Sequence, residues 1–506
     1  MQLVSPLEMM KLENAADQSG VTYDQMMENA GKGLAEHLVR IAVEMGVKEI
    51  LFLCGNGNNA GDCFTAARLL TPQFKVTACL LAGVPKTRTA YAKYKMLKDI
   101  AVLEDQEAIL EAVRRHRLIA DGVFGIGFRG ELSPFVQSVF AEIEADSEKK
   151  CIAVDIPSGG NGLSGDVAKG TPHCDMTITF GAAKTGLFLT PLSEYCGAIM
   201  LVDIGIPAPA FTELTYPVHH ISNTDIPELL PPRPSQGHKG MFGRLMCVSG
   251  SRNMPGAAIL ASKAALRCGV GLFCLASDID VCRLLIAQAP EATMLPLPTD
   301  YDGKLTQQAV PAILDYAKQA TCVLIGCGLG QSEALRQAVT SLIPLLECPI
   351  ILDADGLNAI APSIDILHKA KSTVVLTPHP GEMARLLHCS VEEVQKDRMT
   401  AAKRLATRFP NTVVVLKGAG TIVATAEHAH INTTGNSGMS KGGSGDILAG
   451  MIASLTAQHI SPENAAIAGV YLHGLAGDCA AAENSRRAML PSDMISQLPM
   501  LFAEYE

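Results

Sequence analysis

The chain has 506 residues, 48% hydrophobic and 18% charged, with a mean hydropathy of +0.21, so it holds enough apolar material for large cores and too little charge for disorder. Its 41 basic and 51 acidic side chains leave a formal charge of −10, and no Lys/Arg cluster exceeds two or three residues, which argues against a nucleic-acid-binding face or a polybasic membrane patch and leaves small molecules as the expected partners. Tryptophan is absent, aromatics reach only 5% and glycines number 45, a balance that favours an α/β enzyme with glycine-rich βα turns.

The 15 cysteines are odd in number and form no CxxC pair, so neither a disulfide framework nor a zinc site is expected from their spacing, and a reducing cytoplasm is the expected location. Met1 to Gly20 carries Glu8, Lys11, Glu13 and Asp17, which breaks the apolar core of a secretory signal. No run of ~18 apolar residues is expected to cross a membrane.

In chain order, Lys48 to Cys54 reads as a buried strand, followed by a Gly/Asn-rich turn and a helix over Phe64 to Leu70. Further strands are expected at Phe74 to Leu81, Leu118 to Ala120 and Cys151 to Asp155, each running into a Gly-bearing turn, so several turns converge at the carboxyl edge of one parallel sheet, where such sheets bind ligands. The turn Gly55-Asn56-Gly57-Asn58-Asn59-Ala60-Gly61-Asp62 combines backbone access with amide groups suited to a pyrophosphate or ribose. Asp121-Gly122, leading through Gly125 to Gly130, and Asp155-Ile156-Pro157-Ser158-Gly159 both place an acid at a strand end. Carboxylate, hydroxyl and amide oxygens there make a cage for an alkali or alkaline-earth cation; the plainer reading is that Asp121 and Asp155 cap the helices that follow.

Met26 to Gly31, the Asn58-Asn59-x-Gly61-Asp62 turn, the Asp121 to Gly130 loop and Asp155 to Gly159 together resemble the NAD(P)H-hydrate epimerase family over the whole first half. The resemblance implies that Asn58, Asn59, Ala60, Gly61, Asp62, then Gly125, Ile126, Gly127, Phe128, Arg129, Gly130, Glu131, and Asp155 contact a hydrated nicotinamide dinucleotide, that Asp155 is the acid/base, and that Asn59, Asp121 and Ser158 hold K+. Ala60 and Cys63 stand where that family usually has glycine, so a turn needing positive φ at either position has to adjust here.

Seven of the 28 prolines fall between Pro207 and Pro234, so residues 216–240 read as an extended connector between a domain over 1–215 and one over 225–506. Strands are expected at Arg244 to Ser249, Cys322 to Ile325, Pro349 to Leu352, Thr373 to Leu376 and Thr412 to Leu416, with a helical end over Asp446 to Ala457 and Pro462 to Ala481. Asn436 to Asp446 (NSGMSKGGSGD) runs into the first of these helices. A Gly-Gly-Ser-Gly turn there presents free N–H groups and the positive end of the helix dipole to a phosphate, with Asp446 beside it as a base for a substrate hydroxyl. Lys417-Gly418-Ala419-Gly420-Thr421 offers a second nucleotide element, and Thr377-Pro378-His379-Pro380-Gly381-Glu382-Met383 a stiff turn facing substrate.

With Gly326-Cys327-Gly328-Leu329-Gly330, Asp353 to Asn358 and His238-Lys239-Gly240, this ordered set resembles the NAD(P)H-hydrate dehydratase family, a ribokinase-like branch, fused here to the epimerase. The resemblance implies that Lys417, Gly418, Ala419, Gly420, Thr421, Asn436, Gly442, Gly443, Ser444 and Gly445 bind ADP or ATP with Mg2+, that Gly328, Thr377 to Met383 and Asp446 contact the hydrate, and that the chain forms a homo-oligomer. The expected fold is an N-terminal Rossmann-like three-layer sandwich followed by a ribokinase-like α/β domain. Two other readings stand beside it: a sugar or hydroxymethylpyrimidine kinase, and a non-catalytic N-terminal binding module.

Overall fold

The computed structural model describes residues 1–505. The chain forms two compact units, Gln2–Val218 and His219–Glu506, the latter joined by Met1. Both are α/β, the three-layer and ribokinase-like classes expected from the sequence.

In the first unit seven strands pair in the order Ala101–Leu103, Lys75–Leu80, Glu49–Cys54, Leu118–Gly122, Lys150–Val154, Met176–Phe180, Ala198–Val202, all parallel. The order reverses direction at Glu49–Cys54, and the crevice at such a switch point is where doubly wound sheets take ligands. The continuous apolar run Ile50 to Cys54 fits a strand covered on both faces. Ile50, Phe52 and Cys54 enter the core under the helices Tyr23–Met45 and Asn58–Leu70, while Leu51 and Leu53 enter the core under Gln106–Arg115 and Pro134–Glu144. A short strand Ala183–Lys184 pairs with Gln2–Val4 and fixes the position of Lys184.

The Gly/Asn-rich segment departs from its expected form. The turn is only Gly55 to Gly57; the helix opens at Asn58, so Asn58 to Asp62 form its first turn. Ala60 and Cys63 are therefore ordinary helical residues, both wholly buried and neither at positive φ, and no glycine conformation is required at either position.

In the second unit the strands run Thr293–Pro296, Leu272–Ser277, Arg244–Val248, Cys322–Ile325, Ile350–Leu352, Val374–Leu376, Thr412–Leu416 in parallel, followed by the antiparallel pair Thr421–Ala424 and Ala429–Asn432. The helix Ser444–Ala457 is buried along nearly its whole length, and Gly450 lets it press against Ala261, where a Cβ would meet the Ala261 carbonyl at 2.3 Å. The stretch expected as an extended connector holds a strand, Val218–His220, and a short helix, Ile226–Leu229; Ile221 and Ile226 enter the core of the second unit, so apolar burial outweighs the proline content. Among the described residues one helix, Pro462–Ala488, has an 18-residue window with a mean hydropathy of 1.2, and 72% of that window is buried, as expected for a core helix.

Candidate active sites

In the first unit the turns after the strands Glu49–Cys54, Leu118–Gly122 and Lys150–Val154 meet over a cavity of about 1030 Å³. Asn58, Asn59, Asp62, Gly125, Ile126, Gly127, Phe128, Arg129, Glu131 and Asp155 line it; Ala60, Gly61 and Gly130 do not. Ala60 packs into the core, and Gly61 lies where a Cβ would meet the Met27 sulfur at 2.5 Å. Asp155 is held at φ 69°, a left-handed conformation that Asp tolerates better than most residues, and its N–H donates to the Ile178 carbonyl at 2.7 Å. Strain of this kind gathers at functional sites, where the surroundings fix a side chain the chemistry needs.

Lys184, which sequence reasoning missed, is buried beside Asp155: its Nζ lies 2.5 Å from Asp155 Oδ1, and it also donates to Thr179 Oγ1 (3.1 Å) and the Phe180 carbonyl (3.0 Å). Asp62 stands in the same cavity. Burial, then the neighbouring Asp155, push its carboxyl well above the usual range. Glu13, also lining the cavity, is raised by burial against the pull of Lys184. The cavity thus sets a paired carboxylate, Asp155, beside one whose carboxyl is raised, Asp62.

Beneath the cavity Asp121 is fully buried. Ser158 N–H donates to Asp121 Oδ2 at 2.8 Å, Ser158 Oγ to Oδ1 at 2.6 Å, and Val123 N–H to Oδ1 at 3.3 Å. Burial raises its carboxyl to about 6, and no lysine or arginine lies among its hydrogen-bond partners. The plainer helix-cap reading does not hold: the next helix, Pro134–Glu144, is capped by Ser133. Asn59 Nδ2 is buried without a partner, and the amide lies against Gly125. Of the residues expected to hold a cation, Asp121 and Ser158 bring a carboxylate and a hydroxyl oxygen together, whereas the unpartnered Asn59 Nδ2 is a donor and leaves only the amide oxygen of Asn59 as a ligand atom.

In the second unit Asp353, just beyond the strand Ile350–Leu352, occupies the equivalent place. Lys417 Nζ lies 2.6 Å from Asp353 Oδ1, Thr377 Oγ1 donates to the same oxygen at 2.7 Å, and Glu382 Oε2 is 3.9 Å from the ammonium. Asp446, in the first turn of the helix Ser444–Ala457, is raised to about 6 by burial and then by the Asp353 charge. A base poised at that value is competent near neutral pH. Gly443 caps this helix at φ 109°, where a side chain would be strained and a Cβ would strike Leu260 at 2.6 Å. Ser444 Oγ is buried with no partner, and Gly445 comes close enough to Lys417 that a Cβ would lie 3.4 Å from its Nζ. The Ser444 N–H donates to the Lys441 carbonyl at 3.3 Å, while the opening of this helix, an unsatisfied hydroxyl and a lysine are groups of the kind that suit a phosphate.

Several of the residues expected as ligands make hydrogen bonds that brace these loops. The Asn436 amide donates to the Gly477 carbonyl and Asp478 Oδ1 (both 2.9 Å) and accepts from Gly438 N–H, so it anchors the loop. His379 caps the helix Pro380–Leu387 reciprocally with Glu382. Thr377 and Met383 are fully buried, which leaves His379, Pro380 and Gly381 as the exposed part of that turn. Gly328, at φ 64°, has its carbonyl fixed by Ser251 Oγ at 2.9 Å. Gly418 and Ala419 are exposed; Thr421 opens the next strand, its Oγ1 donating to the Gly418 carbonyl. Arg398 and His473 were not expected: Arg398 donates to the carbonyls of Leu416, Lys417 and Gly420, each at 3.3 Å, and His473 Nε2 donates to the Ser444 carbonyl at 2.9 Å. Burial lowers His473 to about 4, so it is the neutral tautomer.

Residues 245–500 match the family described as NAD(P)H-hydrate dehydratase, and residues 23–186 that described as YjeF-related protein N-terminus. A bifunctional NAD(P)H-hydrate repair enzyme Nnr from Moorella thermoacetica is 34% identical over 518 residues, covering 100% of this chain and 97% of that protein. The protein of the same name from Escherichia coli K12 is 34% identical over 96% of this chain and 90% of its own. Among solved structures, a ribokinase-like superfamily protein from Enterococcus faecalis V583 is 28% identical with a TM-score of 0.50, covering 57% of this chain and 96% of that one. With full-length likeness of this kind, both halves included, the chain belongs to the family of bifunctional NAD(P)H-hydrate repair enzymes.

Proposed function

We propose that the first unit interconverts the R and S epimers of hydrated NADH and NADPH, and that the second returns the S epimer to the reduced dinucleotide at the cost of a nucleoside phosphate. The observation that carries the reading is that each unit sets an acid with a raised pKa, Asp62 or Asp446, beside a buried Asp–Lys pair at the carboxyl edge of its sheet.

Hydration leaves a hydroxyl on C6 of the nicotinamide ring, next to the ring nitrogen, and hydroxide is a poor leaving group. In the second unit Asp446 takes the proton of that hydroxyl as its oxygen attacks the terminal phosphorus of the nucleotide. ADP then leaves as AMP, or ATP as ADP. Phosphate departs from C6, a proton is lost from C5, and the ring double bond returns. Lys417 and the N–H groups of Gly443 to Gly445 bear on the phosphate, where preorganised donors stabilise the charge that develops. Mg2+ bound with the nucleotide supplies further charge neutralisation. The fused arrangement favours ADP as donor.

In the first unit Asp62 gives a proton to the C6 hydroxyl so that it leaves as water and the ring nitrogen carries the charge as an iminium. Water then adds to the opposite face of C6 as Asp155, oriented by Lys184, takes its proton. Asn59, Asp121 and Ser158 would hold K+, which would supply positive charge to the dinucleotide site. Release of phosphate and AMP in equal amounts to NADH from S epimer and ADP supports the second-unit chemistry. Accumulation of a stable phosphorylated product would instead mark a small-molecule kinase.

A further inference from the structure

We infer that His428, His430 and Glu463 form a binding site for a divalent transition metal of the zinc class, outside the residues assigned to either active site. His428 and His430 flank Ala429 at the opening of the strand Ala429–Asn432. The two-residue period of a strand sends Ala429 and Ile431 into the core and both imidazoles to the other face. Glu463 stands in the first turn of the helix Pro462–Ala488, behind the Ser461 cap. The fold brings one ligand atom from each of the three residues within 4.8 Å of one another. His428 Nε2 and Glu463 Oε1 are already in contact, and the His428 and His430 rings meet edge-on at 5.5 Å. His219 stacks on His430 at 5.3 Å.

A plain His428–Glu463 ion pair accounts for two of these groups and leaves His430 unexplained. Its Nδ1 is buried with no hydrogen-bond partner, an arrangement that costs free energy unless something else occupies that nitrogen. Two imidazoles and one carboxylate suit Zn2+, Co2+ or Ni2+ rather than Mg2+ or Ca2+, and leave a fourth position for water. Ligand atoms around tetrahedral zinc lie about 3.3 Å apart at bond lengths near 2 Å, so small side-chain shifts complete the site.

The position gives the ion a structural consequence. The hairpin formed by Thr421–Ala424 and Ala429–Asn432 starts from the Lys417 to Gly420 loop and returns into the loop that carries Asn436 to Gly445. A metal bridging His428, at the turn of this hairpin, to Glu463 ties the strands between the two proposed nucleotide loops to the long helix Pro462–Ala488.

The test uses the untagged full-length chain, stripped with chelator and titrated with Zn2+ by calorimetry and with Co2+ by visible absorption. One saturable equivalent is expected, with a Co2+ spectrum that lacks a thiolate charge-transfer band. His430→Ala, His430→Gln and Glu463→Gln should each weaken that equivalent at least tenfold while keeping the far-ultraviolet circular dichroism of the parent chain. Absence of a saturable equivalent, unchanged affinity in the folded His430→Gln and Glu463→Gln chains, or a thiolate band that places the ion on cysteine would each overturn the assignment.

Discussion

Lys184 Nζ sits 2.5 Å from Asp155 Oδ1 inside a buried pair to which Thr179 also contributes a hydroxyl. The second unit repeats the arrangement with Lys417, Asp353 and Thr377. Removing one member of such a pair leaves an uncompensated buried charge, at about 3 kcal/mol or more. Lys184→Met is therefore expected to lower the stability of the first unit by about that amount and to reduce epimerisation at least a hundredfold, with S-epimer dehydration retained. Separate assays on the two epimers, with thermal unfolding, check this.

Asp155 itself separates chemistry from backbone strain. Asn tolerates the left-handed conformation nearly as well as Asp but removes the charge that pairs with Lys184, so Asp155→Asn is expected to lose use of the R epimer and about 3 kcal/mol of stability. Asp155→Ala loses the same activity and about 1 kcal/mol of stability besides. Equal melting temperatures for the two variants would show that the conformation stores no strain.

Asp446 has the opposite profile, being required for activity and costly for stability. Its carboxyl is raised to about 6 in the fold, so the stability it contributes is complete below its ordinary value near 3.8 and is lost as the pH rises through 6. At pH 7 the ionised side chain is a net cost. Asp446→Asn should abolish dehydration, leave epimerisation intact and stabilise the second unit at pH 7 by about 2 kcal/mol, after a discount for partial exposure, with the gain fading toward pH 4. As the base must be ionised, dehydration by the parent chain should fall below about pH 6, read from rate profiles and from melts at both pH values.

The cation site predicts coupling between pH and potassium. At the proposed site K+ would bind the ionised form of Asp121, whose carboxyl stands at about 6, so the K+ concentration for half-maximal epimerisation should rise as the pH drops below that value. Asp121→Asn should remove the response to K+. A K+ requirement that is constant between pH 5 and 8 would place the ion elsewhere.

Ala60 tests the one departure from the usual family turn. It is a buried helical residue, so Ala60→Gly should cost about 1 to 2 kcal/mol through helix propensity and a lost methyl contact, without raising epimerase activity. An increase in epimerisation by Ala60→Gly would mean that the alanine impairs the site.

The central strands of both sheets were legible in the sequence because fully buried parallel strands such as Ile50 to Cys54 and Thr412 to Leu416 write themselves as short apolar runs, whereas Met176–Phe180, Ala198–Val202, Leu272–Ser277 and Thr293–Pro296 went unread. Lys184 was not legible. It lies on a two-residue strand and reaches Asp155 across 29 positions, and no local pattern marks a lysine whose partner is supplied by the fold. The Asn58 to Asp62 segment was misread as turn because its asparagines and glycine are turn formers, yet burial of Ala60, Cys63 and Phe64 against the sheet carries the helix through it. Arg398 and His473 escaped notice for a related reason: they bond backbone carbonyls of distant loops, contacts that leave no periodicity. The reverse held for Asn436, whose place in a glycine-rich loop marks it as a ligand while its amide is fully engaged in bracing that loop.

On the proposed function both units act on one substrate. The direct measurement incubates the full chain with an R/S mixture of hydrated NADH, Mg2+, K+ and either ADP or ATP, and follows the absorbance of reduced nicotinamide. Conversion of the whole mixture to NADH, faster than R epimerises spontaneously, is the predicted result, and the nucleotide that supports it identifies the donor. Conversion that halts near half, with the remainder following the spontaneous rate, would contradict an active first unit, and no conversion with either nucleotide would contradict the account of both.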